Sequence, residues 1–354
     1  VTSTGTFGVL PTGMPYSDTV AVDYMLTTPN GGTACAAFGA AADPSWDYSR
    51  VAVFVHGLGR CKNDMLALAD TLATASYGGW SVLALDGPRA GARVIEGLGD
   101  QDLDGCADQP ETPELIALTG ESPNPFAVRD QVREWGLEVA QVANLVKAEP
   151  WLFVGAADPG TEVVTRVGVV GHSWGGMAAT LAGPVMASSV DAMVLSAAPS
   201  DLGAIFSPLL QAAVPAADFP ATLAAFVWAM EPADPLFAVP SYPAEATSLP
   251  VLAQVIDGGS AALNGSLTAS LHGVDAQTAL ADAFEAGGRT ATTTVMDWDN
   301  GTATVPICSD PTGVVGAMLK WCVEDTDPAF GAANDKLAAM RGDLVYFLNA
   351  GVLP

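Results

Sequence analysis

Positive charge is scarce in this 354-residue chain: 13 Lys and Arg stand against 39 Asp and Glu, for a formal net charge of −26. A surface of that sign repels phosphate backbones and anionic headgroups, which excludes a DNA or RNA partner. Long apolar runs are missing as well. The nearest approach to a membrane span, from Leu202 to Met230, is interrupted by Pro208, Pro215, Asp218 and Pro220, so no transmembrane span is expected. Cysteine is sparse, at Cys35, Cys61, Cys106, Cys308 and Cys322, and no two form a C-x-x-C pair. Zinc ribbons and thioredoxin-like sites are thereby excluded. Cys308 and Cys322 are close enough to close a short disulfide loop; the plainer alternative is buried, reduced thiols. The sequence opens at Val1 without a basic, apolar leader, and Val1–Gly5 reads as the end of a small polar linker. With the acidic surface, this leads us to expect a secreted, extracellular or cell-surface protein.

What is present is apolar and ordered. Half the residues are hydrophobic and only 15% are charged, a composition that buries a core rather than staying disordered. Val51–Val55, Trp80–Leu85, Arg166–Val170 and Asp191–Leu195 are continuous apolar runs, the pattern of strands buried on both faces. Thr19–Leu26, Ala34–Phe38, Leu249–Ile256 and Thr290–Met296 add further strands. Asn63 and Asp64 can cap a helix running to about Ser76, and helical periodicity recurs over 126–147, 174–186, 275–286, 313–322 and 334–348. Strands alternating with helices predict an α/β fold, a mainly parallel sheet covered by helices on both faces. We read one domain with two insertions, an acidic segment at 87–125 and an apolar, proline-studded cap at 202–245.

The segment Gly171-His172-Ser173-Trp174-Gly175 fits G-x-S-x-G between a buried strand and a helix. In that context the serine sits on a tight strand-to-helix turn, and helix-terminal N–H groups face any negative charge forming beside its hydroxyl. Acyl transfer needs two backbone donors for its oxyanion. Trp174 follows the serine, and Leu58 lies in His56-Gly57-Leu58-Gly59 after an earlier strand. His56 itself reads as a structural histidine holding that loop. The alternative for the G-x-S-x-G segment is a glycine-rich tight turn.

Asp100-Gln101-Asp102-Leu103-Asp104-Gly105-Cys106-Ala107-Asp108-Gln109-Pro110-Glu111 matches D-x-D-x-D-G-x5-E. Asp100, Asp102, Asp104, Asp108 and Glu111 would supply hard carboxylate oxygens, Cys106 its carbonyl, and Gly105 the sharp turn; together they favour Ca²⁺ over Mg²⁺. No flanking helix pair is evident, so a structural calcium loop is expected, not a sensor; the alternative is a solvated acidic loop. No organic cofactor is indicated.

At these residues the chain resembles the α/β-hydrolase superfamily, and more narrowly the secreted bacterial lipases of the virulence-factor type. The resemblance is carried by His56-Gly57, Arg129-Asp130-Gln131-Val132-Arg133, Gly171–Gly176, Asp234-Pro235 and Val251–Gly258. It implies carboxylic-ester hydrolysis through an acyl-enzyme on Ser173, with a small-molecule or lipid-like neutral ester as substrate. The triad departs from the family pattern. A histidine is expected after the last strand, yet the three histidines are His56, His172 and His272, and Cys308 stands where the base would be sought. His172 adjoins the nucleophile and should point away from it, which leaves His272 as base. The acid is Asp257, displaced from the usual Gly-Asp step, or Asp201 after the preceding strand. Two readings therefore stand: a serine esterase with a displaced base, and a catalytically silent hydrolase fold that binds or scaffolds. In the insertion, Ile205, Phe206, Leu209, Leu210, Phe226 and Trp228 would line an acyl surface or seal the sheet.

Overall fold

The structure is a computed structural model and describes residues 2–7, 20–27, 49–58, 60–73, 79–88, 90–93, 124–150, 164–243, 249–257, 274–289, 291–297 and 328–353. Among these residues the strands are β1 (Thr2–Phe7), β2 (Val20–Thr27), β3 (Arg50–Val55), β4 (Ser81–Leu85), β5 (Arg166–His172), β6 (Ala192–Ser196), β7 (Val251–Asp257) and β8 (Ala291–Asp297). They form one sheet in the order β1-β2-β4-β3-β5-β6-β7-β8. β2 runs antiparallel to both neighbours, and every other pairing is parallel. The helices are α1 (Leu66–Ala73), α2 (Pro125–Ala148), α3 (Trp174–Met186), α4 (Leu202–Ala213), α5 (Phe219–Met230), α6 (Pro235–Ala238), α7 (Val274–Ala286) and α8 (Pro328–Ala350).

The central strands are apolar along most of their length because both of their faces are covered. Val51, Val53 and Val55 of β3 join the core under α2, α3 and α7, whereas Ala52 and Phe54 face the core under α1 and α8. β4 divides the same way, with Leu83 and Leu85 on one side and Val82 and Ala84 on the other. The far end of α8 is tied to the sheet by Asn349, whose Oδ1 accepts from Arg50 Nη1 and Trp80 Nε1, each at 3.1 Å.

Several sequence expectations need amendment. Val1–Gly5 is not a linker end: Thr2–Phe7 pairs with Val20–Met25 as an edge strand. Its alternating threonines suit a pleated edge but present no apolar run, so the strand is defined by its partner. Asn63 and Asp64 do not cap a helix; they lie inside a 3-10 turn at Lys62–Met65 that precedes α1. The Asp64 carboxylate is instead taken by Arg60, at 2.6 and 2.9 Å. The expected strand at 34–38 and helix at 313–322 lie outside the described residues.

Candidate active site

β3 and β5 are neighbours in the sheet, although β4 intervenes in sequence. The chain passes from β3 toward one edge and from β5 toward the other, so the loops leaving the two strands diverge. A crevice at the carboxyl ends of strands forms at such a reversal. His56–Leu58 leaves β3 there, and Ser173 leaves β5.

Ser173 joins β5 to α3 with φ 52° and ψ −122°, a conformation that costs a non-glycine residue about 1–3 kcal/mol and persists only where the surroundings impose it. Its N–H donates to Ser196 O of β6, and its carbonyl accepts from Gly176 N, both at 2.8 Å. Gly175 brings the first turn of α3 onto the end of β3, since a Cβ there would overlap the carbonyl oxygens of Val55 and His56. Gly57 packs on the serine from above: a Cβ on it would stand 3.2 Å from Ser173 Cβ and 3.6 Å from Oγ. Trp174 is the first residue of α3, where amides have no acceptor within the helix.

His56 is buried and both ring nitrogens are engaged. Gly87 N–H donates to Nε2 at 2.9 Å, which leaves the proton on Nδ1, 2.8 Å from Gly57 O. That carbonyl belongs to the peptide whose N–H is that of Leu58. The bond therefore fixes the plane that aims the Leu58 amide, because C=O and N–H of a trans peptide point opposite ways. Burial pushes the His56 pKa down, which keeps Nε2 an acceptor. Trp135 of α2 packs against the imidazole, with ring centroids 4.7 Å apart.

The surrounding loop is braced from several sides. Asp86, at the end of β4, accepts from Lys62 N at 2.8 Å and Lys62 Nζ at 2.5 Å. Arg93 forks onto Glu138 of α2 at 2.6 and 2.8 Å and also donates to Asp86 O at 3.0 Å. Cys61 is disulfide-bonded; its partner is one of Cys35, Cys106, Cys308 and Cys322, all outside the described residues. Asp86 and Lys62 belong to no motif in the sequence. Their signal is a strand-ending aspartate followed by Gly87, whose N–H is the one His56 receives.

His172 is buried with its ring against Gly57, its Cδ2 3.4 Å from where a Gly57 Cβ would be. Burial, with Arg60 and His56 nearby, lowers its pKa to about 3. The Asp201 carboxylate caps α4, accepting from Ala204 N at 3.0 Å, while its own N–H donates to Asp234 at 3.2 Å. Asp257 closes β7 beside Asp297 of β8. Its side chain, His272, and calcium-loop residues 100–111 lie outside the described residues. The turn of α7 that follows His272 in sequence is tied to the loop after β6, where Ser200 Oγ donates to Ala276 O at 2.5 Å.

In the apolar insertion, Ile205, Phe206, Phe226 and Met230 belong to the main core, with the Phe206 and Phe226 rings 5.4 Å apart. These four seal the sheet. Trp228 points outward, 69% exposed, and meets Phe126 of α2 edge-on.

Among solved structures, a carboxyl esterase from the mycorrhizal fungus Tuber melanosporum is 12% identical over 99% of this chain and 86% of its own, with a TM-score of 0.49. A thermostable carboxyl esterase from Bacillus coagulans is 12% identical over 96% and 98%, at 0.46. A proline iminopeptidase from Mycobacterium smegmatis is 14% identical over 99% and 98%, at 0.45. No curated protein matches the sequence. The model of the alpha/beta hydrolase family matches residues 52–354, a span that runs from within β3 through β8 and holds His56–Leu58 and Ser173; the chain belongs to that family.

Proposed function

We propose that the protein is a serine hydrolase of carboxylic esters. The observation that carries this reading is the strained Ser173 backbone with Gly57 pressed against its hydroxyl, an arrangement that has little purpose in a merely structural turn. Ser173 Oγ attacks the ester carbonyl and passes its proton to His272, which Asp257 orients. The Leu58 and Trp174 amides hold the oxyanion. Collapse of the tetrahedral adduct expels the alcohol, which takes the proton from His272, and water then releases the acid by the same steps in reverse. The donor set of residues 100–111, five carboxylates and a carbonyl, fits Ca²⁺ as a structural ion. Export from the cytosol accords with the Cys61 disulfide.

The experiment is labelling with a fluorophosphonate, located by mass spectrometry, with calcium present and then chelated. Modification at Ser173 that is lost in His272→Ala supports the reading in full. Labelling that survives His272→Ala removes His272 as base and leaves the nucleophile. No labelling of the folded, calcium-loaded protein overturns the enzyme and favours the silent fold. An unchanged melting temperature on chelation removes the calcium loop.

A further inference from the structure

Nine large hydrophobic side chains are exposed among the described residues, and five of them, Phe126, Leu137, Val185, Trp228 and Phe237, lie on α2 and the elements beside it. Phe126 and Leu137 are eleven residues apart on α2, three helical turns and about 16 Å, so they share one stripe. Beside Leu137 is a surface pocket of about 380 Å³, walled by Leu181, Val185 and Phe237 with Arg133 and Glu231 also on its lining. Beside Phe126 stands Trp228, a raised aromatic pair. One end of the stripe is a knob and the other a hole.

Between them lie Arg129, Asp130, Arg133 and Glu134, two charges of each sign in a chain of net charge −26. Asp130, Arg133 and Glu134 are exposed over 56%, 51% and 60% of their side chains. Their present pairings lie at the surface: Arg129 to Asp130 at 2.7 Å and Arg133 to Asp130 at 3.5 Å within the helix, and Glu134 to Arg93 at 4.0 Å. Such pairs contribute little, and exchanging partners costs little.

The order of these residues is self-complementary. About a point between Gln131 and Val132, an antiparallel second α2 sets Phe126 against Leu137, Arg129 against Glu134, and Asp130 against Arg133, each contact occurring twice. An isologous two-fold interface requires this reciprocity. We propose that this face joins two copies of the chain in a two-fold dimer, with Phe126 and Trp228 of each copy seated at the pocket beside Leu137 of the other. Strongly like-charged molecules can approach only through a patch that is neutral and complementary to itself, and the α2 stripe has both properties.

Sedimentation equilibrium of the intact protein over a range of concentrations tests this. The wild type should be a reversible dimer. Arg133→Asp and Asp130→Arg should each raise the dissociation constant by about tenfold, since every reversal sets two like-charged contacts in the dimer. The double variant should return it to near the wild-type value. Leu137→Glu, at an exposed position, should raise it by about a hundredfold with the wild-type melting temperature retained. A wild type that is monomeric throughout, a dimer insensitive to Leu137→Glu, or a double variant no tighter than the singles would each overturn the proposal.

Discussion

His56 shows how one side chain can set the geometry of a site it does not enter. Its Nδ1–H holds Gly57 O at 2.8 Å, and its Nε2 takes the Gly87 N–H at 2.9 Å. The Leu58 amide is aimed through that peptide plane. His56→Ala releases the plane and leaves a buried N–H unpaired. In the proposed reaction it should lower kcat by about tenfold to a hundredfold, less than the loss of an oxyanion donor itself, with KM nearly unchanged. His56→Asn, which can still donate to Gly57 O, should recover part of the loss. Steady-state kinetics and the rate of phosphonate labelling check both; an unaltered kcat in His56→Ala would remove the positioning role. The serine turn was legible because G-x-S-x-G is local, with strand, turn and helix contiguous in sequence. The base and acid proposed above, His272 and Asp257, have no such local signature, because they stand far from Ser173 in sequence and a triad is assembled only by folding.

At the level of elements, Asp234 joins the insertion to the sheet. Its carboxylate is buried and accepts from the N–H groups of Asp201, Leu202 and Leu236 at 3.2, 2.7 and 3.0 Å. It therefore serves the N-terminus of α4 and that of α6 together. Burial raises its pKa against the pull of those three amides. Asp234→Ala strands buried donors at two helix starts and should destabilise the protein by about 3 kcal/mol. Asp234→Asn, which keeps one acceptor oxygen, should cost about half of that. Urea denaturation measures both, and a loss below about 0.5 kcal/mol for the alanine variant would show that the amides find other acceptors. In the sequence Asp234-Pro235 stands out only as part of the family resemblance, and its capping of α6 is seen in the structure. Its second role, at α4, depends on a residue more than thirty positions earlier and has no local signature.

For the molecule as a whole, two buried histidines set the acid side of the stability curve. His56 has a lowered pKa and His172 one of about 3, while both titrate near 6.5 in an unfolded chain. Below pH 6.5 the unfolded chain takes up protons that the native state refuses, so stability falls as pH falls. His172 alone brings the slope toward one proton, about 1.4 kcal/mol per pH unit, and His56 adds to it in the same direction. Asp234 and Glu138, whose pKa values burial raises, act in the opposite sense nearer the carboxylate range. Between pH 6.5 and 5.5 the histidines should dominate. Urea midpoints measured across that window should fall with pH, and His172→Asn should make the fall shallower; a fall of the same steepness in the variant would refute the assignment to His172.

Taken alone, the sequence determined the α/β class, the order of the central strands in the chain and the serine turn, because these follow from local apolar runs, short spacings and glycine placement. It also set the acidic character of the surface, which is additive over residues. Only the tertiary structure decided that β3 lies beside β5, that Gly57 rests on Ser173, that Ile205 and Phe226 seal the core while Trp228 faces outward, and that Thr2–Phe7 is a strand. Each of these depends on partners distant in sequence, and pairing across a sheet is a property of the folded chain rather than of any segment within it.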